Sequence, residues 1–519
     1  MTVRTGRVPE QRTENPRAGR SIPPLAILPE SAKNYRMPQP ARLPRKPNLV
    51  FFLPDQQRAD TLACCGNSKV HAPNLNGLAA ESTVFSHAYV TQPVCAPSRA
   101  SLLTGVWPHT SGCTNNGFAP DSRIRFLPQL LGDSDYRTAY IGKWHLGKPG
   151  PKARGFEEFV SVERVSDYSN FLIENGLKPD HESGGFSALT ISNLPIELSQ
   201  PKFVERHACD FIQRNARSPF LLVVSFVEPH SPYNSPFNDE HALEQIDVDP
   251  SARVPLSEDV PLRYRLTREW QQDRAARDGT GKIRRFNFGL TLEEYRDIRQ
   301  RYFGLITFVD QSIGAILASV ENAGLREDTI IVHTSDHGDL LGAHQLFGKG
   351  VMFEEAVRVP CMVRAPGQTR GRVISQPLSH IDFVPTLLEL LGSPPAAQCA
   401  GKSRAALVRG ETMPLENVFI EWAPYRKVDK RIKMDSSLAP REKVERAAKE
   451  STRAVITPDG WKLCLRDKDL NELYNLKDDP VEIRNLYNSA PDSVIAGCAN
   501  QIWRWQESTS DKLDLSTNK

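Results

Sequence analysis

Several short stretches of this 519-residue chain carry side chains that could do chemistry together. Cys95-Ala96-Pro97-Ser98-Arg99 runs into Ala100-Ser101-Leu102-Leu103-Thr104-Gly105, which reads as a helix opening at the cysteine. A helix N-terminus presents unpaired N–H groups and a positive dipole end, so a group placed there faces an anion site. Arg99 adds a permanent cation whose planar fork suits sulfate or phosphate oxygens. Taken alone, Cys95 also reads as an inert structural cysteine. Asp55-Gln56 and Asp336-His337 offer carboxylate, amide, carboxylate and imidazole, an oxygen-rich set for one divalent cation. Each of the four, read singly, is a strand-end cap or turn former. Lys143, His145, His230 and Lys349 add cations and proton carriers, though singly they are solvated lysines and ordinary histidines.

These residues follow short apolar runs. Asn48–Leu53 leads to Asp55, Thr138–Ile141 to Lys143 and His145, Phe220–Val227 to His230, and Thr329–His333 to Asp336. Continuous apolar strands separated by helical segments predict an α/β fold with a large, mixed, mostly parallel sheet sandwiched by helices. Ligands of such sheets sit at the carboxyl ends of the strands, so distant residues converge there. Apolar residues at helical spacing predict a helix over Leu292–Asn322, stopped by Gly324. Residues 233–288 are polar and proline-bearing and read as a long surface excursion. Beyond about residue 410, Val418–Trp422, Arg453–Ile456 and Trp461–Leu465 read as short strands, the last two joined by a Pro458-Asp459-Gly460 turn. The expected organisation is a basic, proline-rich arm (1–46), a catalytic domain (47–412) and a small C-terminal α+β domain on a short antiparallel sheet (413–519). The charged stretch 426–453 reads as a solvated helix or loop.

Composition bounds the setting. Charged residues make up 24% and apolar residues 39%, ordinary globular values, and no apolar run approaches the roughly 18 residues of a bilayer span. The net charge of +3 hides an asymmetry: residues 1–46 hold ten Lys/Arg against three acidic residues, leaving 55 against 59 in the remainder. The arm reads as a solvated leader wrapping the domain rather than a nucleic-acid arm. Pro23 and Pro24 interrupt Ile22–Leu28, so no signal-peptide core is recognised. Nine cysteines at scattered positions without CxxC spacing point to a reducing, cytoplasmic compartment. Neither membrane nor nucleic acid is expected as a partner, and a homo-oligomer stays open.

The order of motifs resembles the type I, formylglycine-dependent sulfatases of the alkaline-phosphatase-like superfamily over most of residues 47–490. Residues 95–105 match the segment around that family's modified nucleophile, and Pro47–Asp60 resembles its first metal-binding strand. Gly142-Lys143-Trp144-His145, Pro229-His230, Ser335-Asp336-His337-Gly338 and Gly348-Lys349-Gly350 match further elements in order, and Glu472-Leu473-Tyr474 with Asp479-Pro480 and Asn485-Leu486 resembles the C-terminal signature. The resemblance implies that a maturation enzyme oxidises Cys95 to formylglycine, with Pro97, Ser98 and Arg99 in its recognition motif. One hydroxyl of the aldehyde hydrate then attacks sulfur and expels the alcohol, and loss of the other hydroxyl's proton releases sulfate. Asp55, Gln56, the converted Cys95, Asp336 and His337 would hold one divalent cation acting as a Lewis acid. His230 is carried over as the acid for the leaving oxygen, with Lys349 beside the ester. His145 and Lys143 would contact formylglycine and sulfate, and Arg99 would stabilise the hydrate.

Two positions depart from the better-known arylsulfatases, which carry adjacent Asp residues on the first strand and Asp-Asn on the later one. Asp55-Gln56 and Asp336-His337 resemble the branch that includes choline sulfatases and phosphonate monoester hydrolases. Calcium is the expected ion, and the imidazole ligand makes manganese its competitor. Hydrolysis of a small-molecule or saccharide sulfate ester is the expected activity. The alternatives are a phosphonate monoester or phosphodiester hydrolase using the same nucleophile, and a non-catalytic binding protein with unconverted Cys95. His71, His87, His109, His333 and His344 are expected to be structural.

Overall fold

A computed structural model describes residues 46–163, 165–277, 291–424 and 432–517. The basic arm, apart from Lys46, lies outside the described residues. Lys46 itself pairs with Asp133 at 2.6 Å and Asp135 at 2.8 Å.

Among the described residues, fifteen strands form in the order β1 (Asn48–Phe52), β2 (Thr83–Phe85), β3 (Ala88–Tyr89), β4 (Arg137–Gly142), β5 (Glu158–Ser161), β6 (Phe220–Ser225), β7 (Thr329–Thr334), β8 (Arg358–Val359), β9 (Cys361–Arg364), β10 (Arg372–Ile374), β11 (Leu378–Ser379), β12 (Val418–Trp422), β13 (Thr452–Ile456), β14 (Trp461–Arg466) and β15 (Glu472–Asn475). Eight of them build one sheet in the order β10-β2-β9-β7-β1-β6-β4-β5. β7, β1, β6, β4 and β5 are mutually parallel, and β9 runs against β7 and β2. The fold is thus the mostly parallel α/β sheet expected. β11, β3 and β8 form a small side sheet.

Strand alternation explains the unbroken apolar runs. In β1, Leu49 and Phe51 enter one core with Leu221, Val223, Ile330 and Val332, while Val50 and Phe52 enter the opposite core with Leu222, Val224 and Ile331. Both faces are covered, so both phases of the two-residue repeat are apolar. Cys95–Thr104 and Phe383–Leu390 cover the first face, and Gln200–Arg214 and Leu292–Asn322 the second. The last of these begins at a capping box, Thr291 with Glu294, and Gly324 past its end takes a left-handed φ of 68°. By length and composition it could cross a membrane, yet 72% of its apolar window is buried within the protein.

The C-terminal strands form the antiparallel sheet β12-β13-β14-β15. Val455, Leu463, Leu465 and Leu473 pack beneath the helix Asp492–Thr509, while Val418, Ile420 and Trp422 enter the core of the large sheet. One expectation needs correction. The excursion after Tyr233 is not merely a surface loop: Leu262–Arg277 is a helix, with Tyr264 and Leu266 fully buried. Its composition is too polar for an apolar stripe to announce it, and it is held instead by hydrogen bonds to the Tyr264 hydroxyl from Met352 N and Arg466 Nη2. Residues 278–290 lie outside the described residues. So do 425–431 of the charged stretch, whose described part contains the helix Arg441–Ala447 packing Val444 and Ala447 on Leu266.

Candidate active site

β1 lies between β6 and β7, with β4 beyond β6, and the four strands are parallel. Their carboxyl ends are therefore neighbours, and each delivers its candidates to one place. Asp55 follows β1, Lys143 and His145 follow β4, His230 follows β6, and Asp336 and His337 follow β7. A parallel bridge between Asp55 and Pro229 brings the His230 loop against the first strand end. Gly142 and Gly338 permit these close approaches. A Cβ at Gly142, where φ is +114°, would lie 1.8 Å from Ser225 O, and one at Gly338 would lie 2.0 Å from Glu355 O.

Cys95 opens the helix Cys95–Thr104, which is buried along its whole length. Its N-terminus is not the open anion site that the sequence suggests. Ala96 N donates to Asn116 Oδ1 at 3.0 Å, Ser98 N to Val94 O at 3.1 Å, and Pro97 has no N–H. Positive charge at the site comes from side chains instead.

Asp55, Cys95, Asp336 and His337 present ligand atoms that all lie within 4.8 Å of one another, and all four residues are buried. Cys95 Sγ is 3.1 Å from His337 Nε2 and 4.0 Å from Asp55 Oδ1. His337 Nδ1 lies 2.8 Å from the Gly338 carbonyl, which holds its proton on that nitrogen and leaves the Nε2 lone pair directed at the cluster. Two carboxylates, a sulfur position and an oriented imidazole fit a divalent cation. Gln56, with φ +70°, donates Nε2 to Asp339 Oδ2 at 2.5 Å, and its Oε1 accepts from Lys349 Nζ at 2.5 Å. The amide oxygen thus belongs to the site and the nitrogen to its support.

Arg99 is fully buried and clamps the cluster from behind. Its Nε donates to Asp336 Oδ2 at 2.8 Å and its Nη2 to Asp55 Oδ2 at 3.1 Å, while Nη1 serves Ser225 Oγ and Lys143 O. Lys143 Nζ reaches Asp55 Oδ2 at 2.5 Å. Burial alone would raise the pKa of Asp55, but the cations Lys143, Lys349 and Arg99 outweigh it and hold the carboxyl well below its usual range. Burial and Asp55 push the Cys95 thiol up, yet Lys349, Lys143 and His337 bring it down to about 6. Burial, reinforced by Lys349, keeps the His230 ring neutral, and its Nδ1 is 2.7 Å from Ser231 O. His145, at φ +58°, has Nδ1 2.8 Å from Glu163 Oε1, and Glu163 also accepts from the His145 backbone. Burial opposes ionisation of Glu163, but its bonds to His145 bring its pKa to about 2.

All the candidate residues therefore converge. Sequence reasoning missed their supports. Asp339 holds Gln56 and also accepts from the Tyr233 hydroxyl, Glu163 orients His145, and Ser225 seats Arg99. Asp339 could have been found, since it stands three residues after Asp336, whereas Glu163 and Ser225 carry no local signal. The remaining histidines have structural partners: His109 Nδ1 lies 2.7 Å from Glu421 Oε1, His333 Nε2 3.1 Å from Gln57 Oε1, and His344 stacks on Phe353. Ser98 Oγ is 3.0 Å from His380 Nδ1, both buried.

A profile of the Sulfatase family matches residues 47–393, well over half of the chain. The chain belongs to the sulfatase family. It is similar to the uncharacterised sulfatase YidJ of Escherichia coli strain K12, at 29% identity over 85% of this chain and 83% of that protein. It is also similar to an N-acetylglucosamine-6-O-sulfatase of Bacteroides thetaiotaomicron, at 26% identity over 90% of this chain and 87% of the relative. Among solved structures, the phosphonate monoester hydrolase of Agrobacterium radiobacter superposes with a TM-score of 0.71 at 22% identity, covering 89% of this chain and 96% of that one, a likeness of fold. The match to the sulfatase profile spans every strand end and candidate residue described above.

Proposed function

We propose that this sulfatase-family chain hydrolyses a sulfate monoester to an alcohol and inorganic sulfate, using formylglycine made from Cys95 and one divalent cation held by Asp55, Gln56, position 95, Asp336 and His337. The observation that carries this reading is the buried cluster of Asp55, Cys95, Asp336 and His337 within 4.8 Å, flanked by Lys143 and Lys349. The converted side chain and the cation would supply a nucleophilic oxygen and Lewis acidity there. Calcium suits the oxygen donors, and the His337 imidazole keeps manganese as its competitor.

The chain's own residues have separable tasks. Lys143 and Lys349 flank the cluster and place two cations where sulfate oxygens would lie. Glu163 holds the Nδ1 proton of His145, which leaves Nε2 free to accept a proton as a base. Ser231 O holds the Nδ1 proton of His230, so this ring serves as an acid only when Nε2 is protonated as well. Burial is the main reason His230 is neutral; a sulfate seated between the lysines would offset the smaller contribution of Lys349 and Lys143, favouring the imidazolium needed to protonate the leaving oxygen. Arg99 is tied to both carboxylates, so its principal task is to fix the ligands, with any effect on position 95 exerted from one helical turn away.

Mass spectrometry of the peptide containing Cys95, with sulfate release from aryl, choline and saccharide sulfates, tests the reading. Aldehyde at position 95 and release from at least one class are expected. Thiol throughout, or no release by converted, metal-loaded protein, overturns it. A second reading, hydrolysis of phosphonate monoesters or phosphodiesters by the same groups, rests on the Asp55-Gln56 and Asp336-His337 ligand set. Comparing kcat/KM for an aryl sulfate and an aryl phosphonate decides between them.

A further inference from the structure

Cys64 and Cys65 stand in a single turn of 3-10 helix, Ala63–Cys65, outside the site described above. Their sulfurs lie 3.8 Å apart, and both side chains are half-buried, within reach of a small reagent. The hydrogen bond from Cys65 brings the Cys64 thiol below its ordinary value of 9.0, against the effect of burial. The same contact, together with burial, pushes Cys65 up. Cys399 is also half-buried but lacks such a neighbour, and burial pushes it up to about 11.

Cys64 lines a cavity of about 440 Å³ with Asn76, Val84, Arg372 and Val373. That volume is within the range of small-molecule sites. Arg372 gives the cavity a permanent cation, and no acid is among its described lining residues. A small disulfide bearing carboxylates, such as oxidised glutathione, matches that charge. Gly66, directly after Cys65, has φ +100°, and a Cβ there would meet nothing within 4 Å, so the turn ends on an unobstructed residue that can absorb a backbone change.

We propose that Cys64 and Cys65 form a reversible thiol–disulfide couple that closes by exchange with a small anionic disulfide, Cys64 attacking and Cys65 resolving. The Cys64 thiolate attacks one sulfur of oxidised glutathione, forming a mixed disulfide and releasing one glutathione thiolate. Capture removes the negative sulfur that holds the proton on Cys65. Cys65 then gives its proton to solvent and attacks the Cys64 sulfur, expelling the second glutathione thiolate. The protein pair has lost two electrons and two protons, and the reagent has become two thiols. Neighbouring Cα atoms are about 3.8 Å apart, short of the roughly 4.4–6.8 Å usual across a disulfide, so the bond closes under strain and reopens readily with a thiol. With no loop between its ends it constrains the unfolded chain little, which makes it an exchange site and not a structural staple.

The matured full-length protein is incubated with oxidised glutathione, and the peptides carrying Cys64–Cys65 and Cys399 are followed by mass spectrometry. Capture at Cys64 should exceed that at Cys399 by about 10-fold or more. Their thiolate fractions differ by about 100-fold or more, and the weaker nucleophilicity of the more acidic thiol removes about half of that exponent. The unsubstituted pair should end two hydrogens lighter with no glutathione adduct, and dithiothreitol should restore it. Cys65→Ser should stop at the adduct on Cys64, and Cys64→Ser should slow capture at this turn to the Cys399 rate. In the urea-unfolded chain the Cys64 and Cys399 rates should converge, a check that needs no variant to fold. A lasting adduct on the unsubstituted pair, equal capture at Cys399 in the folded protein, or a rate advantage that survives in urea overturns the proposal. Sulfate release is not among the readouts, so the outcome is independent of the sulfatase reading.

Discussion

Replacing Arg99 with methionine should destabilise the protein more than any loss of surface charge. Its guanidinium is fully buried, 2.8 Å from Asp336 and 3.1 Å from Asp55, and both carboxylates are themselves 0% exposed. Breaking a buried pair by removing one partner costs about 3–5 kcal/mol, because the remaining charge is left in a medium that solvates it poorly. Lys143 still compensates Asp55, so the uncompensated charge falls chiefly on Asp336. Urea unfolding in EDTA at pH 7 reads the loss as a shift in midpoint multiplied by the m value. Arg99→Lys should fall between the two proteins, since a point charge cannot bridge two carboxylates as a planar fork does. Acid narrows the difference. Asp55 has a depressed folded pKa, so its contribution is fully present above the ordinary Asp value of about 3.9 and is lost as pH falls toward the folded value. Calcium should narrow it too, because a bound cation supplies positive charge and stabilises the folded state by about 2.7 kcal/mol at a hundredfold excess over Kd. A loss below about 1 kcal/mol in EDTA would refute the claim that Arg99 compensates these carboxylates.

Other expectations test the supports. Asp339→Asn places an N–H donor among the Gln56, Tyr233, Leu341 and Gly348 donors that Asp339 now accepts, so calcium affinity should fall about 10- to 100-fold by calorimetry; unchanged affinity would show that Gln56 needs no such hold. Gly142→Ala drives a Cβ to 1.8 Å from Ser225 O at a left-handed φ, and should yield insoluble protein or one unfolding at markedly lower urea; a wild-type midpoint counts against the close approach. Lys462 is buried between Glu354 at 3.1 Å and Glu482 at 2.8 Å, so Lys462→Met should cost about 3–5 kcal/mol at pH 8.5 and less at pH 5, where protonation relieves the carboxylates. Burial pushes Glu482 up to about 8, so the stability it contributes is present below about pH 4.3 and is lost as pH rises through 8; thermal unfolding from pH 5 to 9 should show that decline in the unsubstituted protein.

The elements that were legible share a physical cause. β1, β6 and β7 are buried on both faces, so both phases of the strand repeat are apolar and the runs stand out. The helix Leu292–Asn322 keeps an apolar period through 31 residues, and its predicted bounds agree with the structure. Leu262–Arg277 escaped because only a few apolar anchors, with Tyr264 at their centre, hold it against Met352 and Arg466, residues 88 and 202 positions away. The helix-end anion site failed for a similar reason, since the Asn116 side chain that occupies Ala96 N has no local signature.

By itself the sequence determined the chemical inventory: a cysteine opening a helix, two acid-led pairs, and lysines and histidines just beyond apolar strands. Those are properties of residue type and spacing. The tertiary structure alone decided what each group touches, because the parallel order β7-β1-β6-β4 makes neighbours of strand ends separated by up to hundreds of residues. Cys95 and His337 meet across 242 positions, and Arg99 finds Asp336 across 237. Nor could composition tell that Gln56 turns its oxygen toward Lys349 or that His337 turns Nε2 toward the cluster. Orientation and desolvation arise only when chain segments pack, and they decide whether the same side chains are ligands, proton carriers or supports.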